Sequence, residues 1–226
     1  EEYEPSNFEH EFYGPVTLRR ALARSLNIAT IKVAEMVGYP TVVALAHKAG
    51  ISEDVKATPA MAIGSYVATP FEMAGAFTMF ANQGTRVNPT LVSLIRESNG
   101  KVLLDQKPET KQVLDPRVNY LMVSMMEEVM RSGTAAGVRS RGFTAPAAGK
   151  TGTSQDFRDA WFIGYSGNLT TGVWFGNDDG SPMKNITGGT LPARLWQQFM
   201  TDAEKGQPKA EPPQRSRSFW NFLFGR

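Results

Sequence analysis

Ala147-Ala148-Gly149-Lys150-Thr151-Gly152-Thr153-Ser154, Asp159-Ala160-Trp161-Phe162-Ile163-Gly164-Tyr165-Ser166 and Thr170-Thr171-Gly172-Val173-Trp174-Phe175-Gly176-Asn177 are three strand-like runs separated by short polar turns. Links this short join antiparallel neighbours, so the stretch predicts a meander. Upstream the apolar spacing becomes helical. A first helix is expected from near Thr17, after Gly14-Pro15, to Gly38. Leu18, Leu22, Leu26, Ala29 and Val33 recur there near helical spacing, with Ser25-Leu26-Asn27 inside the helix or at a break in it. A second runs from Thr41 to Ala49, with Gly50 as its stop. Thr69-Pro70-Phe71-Glu72 combines a threonine cap, proline at the first helical position and a glutamate placed to close a capping box; that helix should end near Asn82-Gln83-Gly84.

Asn88 to Asp105 reads as a hairpin turning at Asn99-Gly100. Asp115-Pro116 then caps a helix to about Met130, whose Met122, Met125, Met126 and Val129 form an apolar stripe read as core filler. A last helix, from Thr190 or Pro192 to about Glu204, is expected to turn Leu191, Leu195, Trp196 and Phe199 toward the sheet. The whole predicts an α+β fold, an antiparallel β-sheet flanked by helices, over residues 1–205. Residues 206–226, with Pro208, Pro212, Pro213 and the aromatic run Phe219-Trp220-Asn221-Phe222-Leu223-Phe224, read as a flexible linker and tail.

Of the 226 residues 41% are hydrophobic and 20% charged, enough apolar material for one well-buried core. The formal charge of +2 gives no reason to expect a nucleic-acid partner. Without cysteine there is neither a disulfide framework nor a thiolate metal site, and His10 and His47 are too few for an imidazole one, so no metal or other cofactor is expected. No apolar run reaches the roughly 18 residues of a membrane span.

Gly149-Lys150-Thr151 invites a reading as a phosphate-binding loop. That loop requires glycine at 144, where Thr144 stands, and a helix after it, where a strand is expected. As a strand motif Lys150-Thr151-Gly152-Thr153 makes better chemical sense. A residue without a side chain at Gly152 lets an extended peptide lie against the strand edge, and the Thr153 amide becomes available to an oxyanion. Taken alone, four residues also fit a solvated strand with a tight glycine bend.

Ser25-Leu26-Asn27, 123 residues before Lys150 counted from Asn27, changes that weighing, because Ser-x-Asn and Lys-Thr-Gly are two of three motifs of the penicillin-recognising serine acyl-transferases. The flanks agree. Pro15-Val16-Thr17-Leu18-Arg19-Arg20-Ala21-Leu22-Ala23-Arg24, Ala68-Thr69-Pro70-Phe71-Glu72-Met73-Ala74, Phe80-Ala81-Asn82-Gln83-Gly84, Asp159 to Tyr165 and Val173 to Asp178 make the chain resemble class A penicillin-binding proteins, in the C-terminal part of the transpeptidase domain, over roughly residues 4–203. The resemblance implies a β-lactamase/DD-transpeptidase-like fold and gives roles by position. Ser25 would relay a proton to the leaving group, with Lys150 as its charged partner. Asn27 would hold the acyl side of the substrate. Thr151 and Thr153 would bind the substrate carboxylate by their hydroxyls, the Thr153 amide would also serve the oxyanion, and Gly152 would let the substrate lie against the strand.

The third motif, Ser-x-x-Lys, carries the nucleophile. It occurs as Ser98-Asn99-Gly100-Lys101 and Ser181-Pro182-Met183-Lys184, both turn-like and neither able to set a lysine one helical turn beside a serine. The expectation is therefore an N-terminally truncated domain, predicted inactive by itself. Its parent would cross-link peptidoglycan stem peptides ending in D-Ala-D-Ala through a serine ester that β-lactam antibiotics trap, on the periplasmic face of the bacterial inner membrane. The nucleophile segment, present in some form such as a separate chain, would complete the core, and apolar surface near Ser25 and Lys150 should be exposed without it. A membrane anchor and a glycosyltransferase domain would belong to the parent. A non-catalytic peptidoglycan-peptide or partner-binding module is the alternative. A β-lactamase fits less well, because no carboxylate to position water is found.

Overall fold

The computed structural model describes residues 5–8, 11–51 and 54–207. Beyond residue 207, the linker and aromatic tail assigned to 206–226 lie outside the described residues, as does His10.

The first predicted helix is two helices, α1 (Leu18–Ala23) and α2 (Asn27–Val37). Between them the chain makes a Schellman stop: the Leu26 N–H donates to Ala21 O at 2.9 Å and the Ser25 N–H to Leu22 O at 3.1 Å. That motif needs a left-handed residue, commonly glycine, and here Ser25 takes it with φ 55. Helix α3 (Tyr39–Lys48) follows directly. Helix α4 (Pro70–Ala81) begins with the expected capping box, the Glu72 N–H donating to Thr69 Oγ1 at 3.1 Å and the Thr69 N–H to Glu72 Oε2 at 2.7 Å.

Strands β1 (Thr85–Val87), β2 (Leu94–Arg96), β3 (Val102–Asp105) and β4 (Thr110–Gln112) form two small antiparallel pairs, β1 with β4 and β2 with β3. The second is the expected hairpin. The first, three residues a side, frames it and was not readable from spacing. Helix α5 (Pro116–Arg131) buries Asn119, Val123, Met126, Val129 and Met130, so its core stripe differs from the one expected: Met122 and Met125 are only half-buried. A short α6 (Gly137–Ser140) precedes the sheet.

Strands β5 (Ala147–Thr153), β6 (Asp159–Ser166) and β7 (Leu169–Gly176) form the antiparallel meander in the order β5-β6-β7, with Lys150 opposite Ile163, Gly152 opposite Trp161 and Phe162 opposite Val173. Helix α7 (Leu191–Ala203) covers one face of it. There Phe162 and Trp196, both fully buried, meet edge to face at 5.2 Å, and the Trp196 indole donates to Gly164 O. The expected stripe of α7 is corrected: Pro192, Ala193, Trp196 and Met200 are buried, whereas Leu191, Leu195 and Phe199 are exposed. The large indole takes the inward position, which turns the helix by about one residue, or roughly 100°. On the other face Ala148 and Tyr165 pack with Val123 and Met126 of α5, Leu22 of α1 and Phe77 and Phe80 of α4. With both faces covered, β5 keeps an open edge, reached from the break between α1 and α2 by Ser25.

Candidate active site

Strand β5 is approached by Arg139, whose guanidinium donates to the carbonyls of Phe143 and Ala145 at 2.9 and 2.6 Å and of Ala147 at 3.2 Å. One planar fork thus satisfies three main-chain acceptors and fixes where β5 starts.

Past Ser154, whose N–H donates to Asp159 O, the ladder alternates, so Gly152 and Lys150 turn their main-chain groups to β6, while Thr151 and Thr153 turn theirs to the free edge. The Thr153 amide therefore points where an edge-bound ligand would lie. Side chains alternate the other way, placing Lys150 on the α5 face and Thr151 and Thr153 on the α7 face.

Lys150 curls back along its own edge. Its ammonium donates to Ser25 Oγ at 2.7 Å and to Thr151 O at 2.8 Å, and lies 3.5 Å from Thr151 Oγ1. Ser25 and Lys150, 125 residues apart, thus form one hydrogen-bonded unit. Burial holds the Lys150 ammonium down at about 8, against an ordinary 10.5. At pH 7 about one tenth of it is then neutral.

Asn27 opens α2 directly beyond the Ser25 break. Its amide donates to Ser6 O at 3.0 Å, which takes one of its two N–H donors, and Asn7 Oδ1 accepts from the Ile28 N–H at 3.3 Å. Phe8 in turn meets the Phe157 ring edge on at 6.0 Å, so residues 5–8 bridge from the start of α2 to the turn after β5.

Gly152 does leave space, but part of it is filled. A Cβ there would stand 3.3 Å from Trp161 Cβ, and Gly188 presses so close that its own Cβ would fall 2.6 Å from Gly152 O. The Gly188 N–H donates to Thr153 Oγ1 at 3.1 Å. Gly188 and Thr134, whose hydroxyl lies 2.6 Å from Thr151 Oγ1, were both missed from sequence. The Gly188-Gly189 pair before α7 was the available sign of close backbone approach.

The two Ser-x-x-Lys sequences stand on turns, as expected. Ser98 to Lys101 joins β2 to β3, with Gly100 at φ 90, and the Ser181 N–H donates to Asp179 Oδ1 in the loop after β7. Asp156 and Arg158 make an exposed ion pair, and Asp159 instead accepts from the Trp174 indole at 2.9 Å.

Among the described residues no group of three or more His, Cys, Asp or Glu could hold a metal ion, and no single helix is long and apolar enough to cross a membrane.

Residues 2–176 match the family described as penicillin binding protein transpeptidase domain. Penicillin-binding protein 1A of Aquifex aeolicus is 34% identical over 218 residues, and penicillin-binding protein 2D of Bacillus subtilis 34% over 223. The matches take in 95% and 94% of this chain, which spans 30% and 32% of those two proteins. Among solved structures, penicillin-binding protein 1A from Haemophilus influenzae superposes with a TM-score of 0.83 at 25% identity, covering 93% of this chain and 38% of that one. The PonA1 protein from Mycobacterium tuberculosis, in complex with penicillin V, gives 0.81 at 26%, covering 94% and 62%. A Ser25–Lys150 unit at the open edge of a three-stranded meander, in a chain so matched, belongs to the transpeptidase-domain family of the class A penicillin-binding proteins.

Proposed function

We propose that this chain is the donor-peptide-holding part of a penicillin-sensitive D,D-transpeptidase. Lys150 and Ser25 act as its proton relay, while Asn27, Thr151, Gly152 and Thr153 form the groove for a stem peptide ending in D-Ala-D-Ala. The observation that carries this reading is the 2.7 Å bond from the Lys150 ammonium, its pKa lowered by burial, to Ser25 Oγ beside an unpaired strand edge. An extended peptide adds to that edge through main-chain bonds, its carboxylate meets the hydroxyls of Thr151 and Thr153, and the Thr153 amide faces the oxyanion. In this reading the domain works on the extracytoplasmic face of the bacterial inner membrane, where peptidoglycan is made.

The acyl-bearing serine in this reading lies outside the residues described above, since neither Ser98 nor Ser181 has a lysine one helical turn beside it. Apolar side chains exposed around the Ser25 break, Leu18 on α1 and Val33, Met36 and Val37 on α2, support a further polypeptide packing there; Met36 is 87% exposed.

The test is the denatured intact mass of every polypeptide in the preparation after incubation with a β-lactam. Digestion of the adducted species is expected to leave residues 1–226 unmodified and to put the drug's mass on a Ser-x-x-Lys segment. An adduct on this chain would overturn the placement of the nucleophile, and absence of adduct from every species would overturn the transpeptidase reading in favour of a peptide-binding module.

A further inference from the structure

We propose that Thr134 is a positioning residue that sets the specificity of this site for a terminal carboxylate, by donating its hydroxyl proton to Thr151 Oγ1 so that the single Thr151 proton faces the ligand. The inference rests on the reading of the β5 edge as a donor-peptide site.

Thr134 sits in the connection from α5 to α6 and is exposed, so it contributes nothing to the core. Its main chain is nonetheless wedged. The Thr134 N–H donates to Ala23 O at 3.0 Å, two residues before Ser25. A Cβ at Gly133 would fall 2.2 Å from that same carbonyl, and one at Gly189 would fall 2.1 Å from Thr134 O. The segments that clamp Thr134 are thus the ones that place Ser25 and, through Gly188, Thr153. The product of this clamping is one contact, Thr134 Oγ1 to Thr151 Oγ1 at 2.6 Å, in which either oxygen can donate.

A hydroxyl has one proton and two acceptor sites. Facing water, Thr151 is free to donate to Thr134. Facing a carboxylate, which only accepts, Thr151 must turn its proton to the ligand, and its oxygen then requires donors of its own. Thr134 supplies one at 2.6 Å; the Lys150 ammonium, at 3.5 Å and already committed to Ser25 Oγ and Thr151 O, is a poor second. A carboxamide can both donate and accept, so it does not force this orientation and gains less from Thr134.

The test measures binding of N-acetyl-D-alanyl-D-alanine and of its C-terminal carboxamide to the isotope-labelled chain, followed through the Thr151 and Thr153 amide signals, for wild type, Thr134→Val and Thr134→Ser. The valine variant keeps the shape and removes the proton, and it is expected to weaken the carboxylate dipeptide about tenfold while leaving the carboxamide within about twofold, as loss of one hydrogen bond implies. Serine should restore the carboxylate preference. Equal loss of both ligands, or of neither, would overturn the inference and leave Thr134 a structural residue. Should wild type bind neither dipeptide, the donor-site reading itself would fall, and the role of Thr134 with it.

Discussion

Substitutions at Ser25 separate two energies. Ser25 holds a left-handed backbone at φ 55, which costs a non-glycine residue about 1 kcal/mol or more. Its Oγ accepts from the Lys150 ammonium at 2.7 Å, a bond to a charged donor worth roughly 1.5–3 kcal/mol. Ser25→Ala loses the bond and keeps the strain; Ser25→Gly loses the bond and releases the strain. The glycine variant should therefore be more stable than the alanine variant by about 1 kcal/mol at every pH. Comparison with wild type should instead depend on pH. Because Lys150 titrates near 8 in the native state and near 10.5 when unfolded, the native state binds fewer protons between those values, and stability rises with pH across that window. Below pH 8 the full penalty, about 3 kcal/mol, is present. Loss of the Ser25 acceptor makes the ammonium less favourable still, so in Ser25→Ala the rise should begin at lower pH, and its deficit against wild type should shrink as pH rises toward about 8 and stay at its smaller value above it. Urea unfolding followed by tryptophan fluorescence from pH 6 to 11 reads both. Equal stability of the two variants would refute the strain argument, and parallel pH curves for wild type and alanine would refute the coupling of Ser25 to Lys150.

Gly188→Ala should push β5 from its place, because the new Cβ would lie 2.2 Å from Trp161 O and 2.6 Å from Gly152 O. Shifted Thr151 and Thr153 amide signals are expected with a lowered melting temperature, and unchanged signals would contradict the close approach. Arg139→Met, which leaves three carbonyls without their shared donor, should destabilise by about 3 kcal/mol in urea titration; a loss below about 1 kcal/mol would mean that water replaces the guanidinium.

The meander was legible because Asp159 to Ser166 and its neighbours carry strand-forming residues between short polar turns, and α4 because Thr69, Pro70 and Glu72 state its start locally. The β1 with β4 pairing was not, since residues 85–87 and 110–112 are too short for any period to show and join across the hairpin between them. The inward face of α7 depended on which of Leu195, Trp196 and Phe199 the sheet would admit, a matter of packing against Phe162 and Gly164 that spacing leaves open. At the site, Ser25 and Lys150 were legible as motif residues, and their 2.7 Å contact was legible only as an implied role. Thr134 was beyond reach, because an exposed threonine in a loop looks the same whether it faces water or Thr151.

The open edge of β5 carries a cost in self-association. A row of unpaired N–H and C=O groups that accepts a peptide strand will also accept a strand from another molecule, and sheets join through such edges into aggregates. Here the guard is the Lys150 ammonium laid across Thr151 O, since a second chain pairing at that carbonyl would have to displace a charge. That guard weakens as the ammonium loses its proton near pH 8, so if Lys150 is the proton relay proposed above, the same acidity sets the pH above which edge-to-edge association is expected.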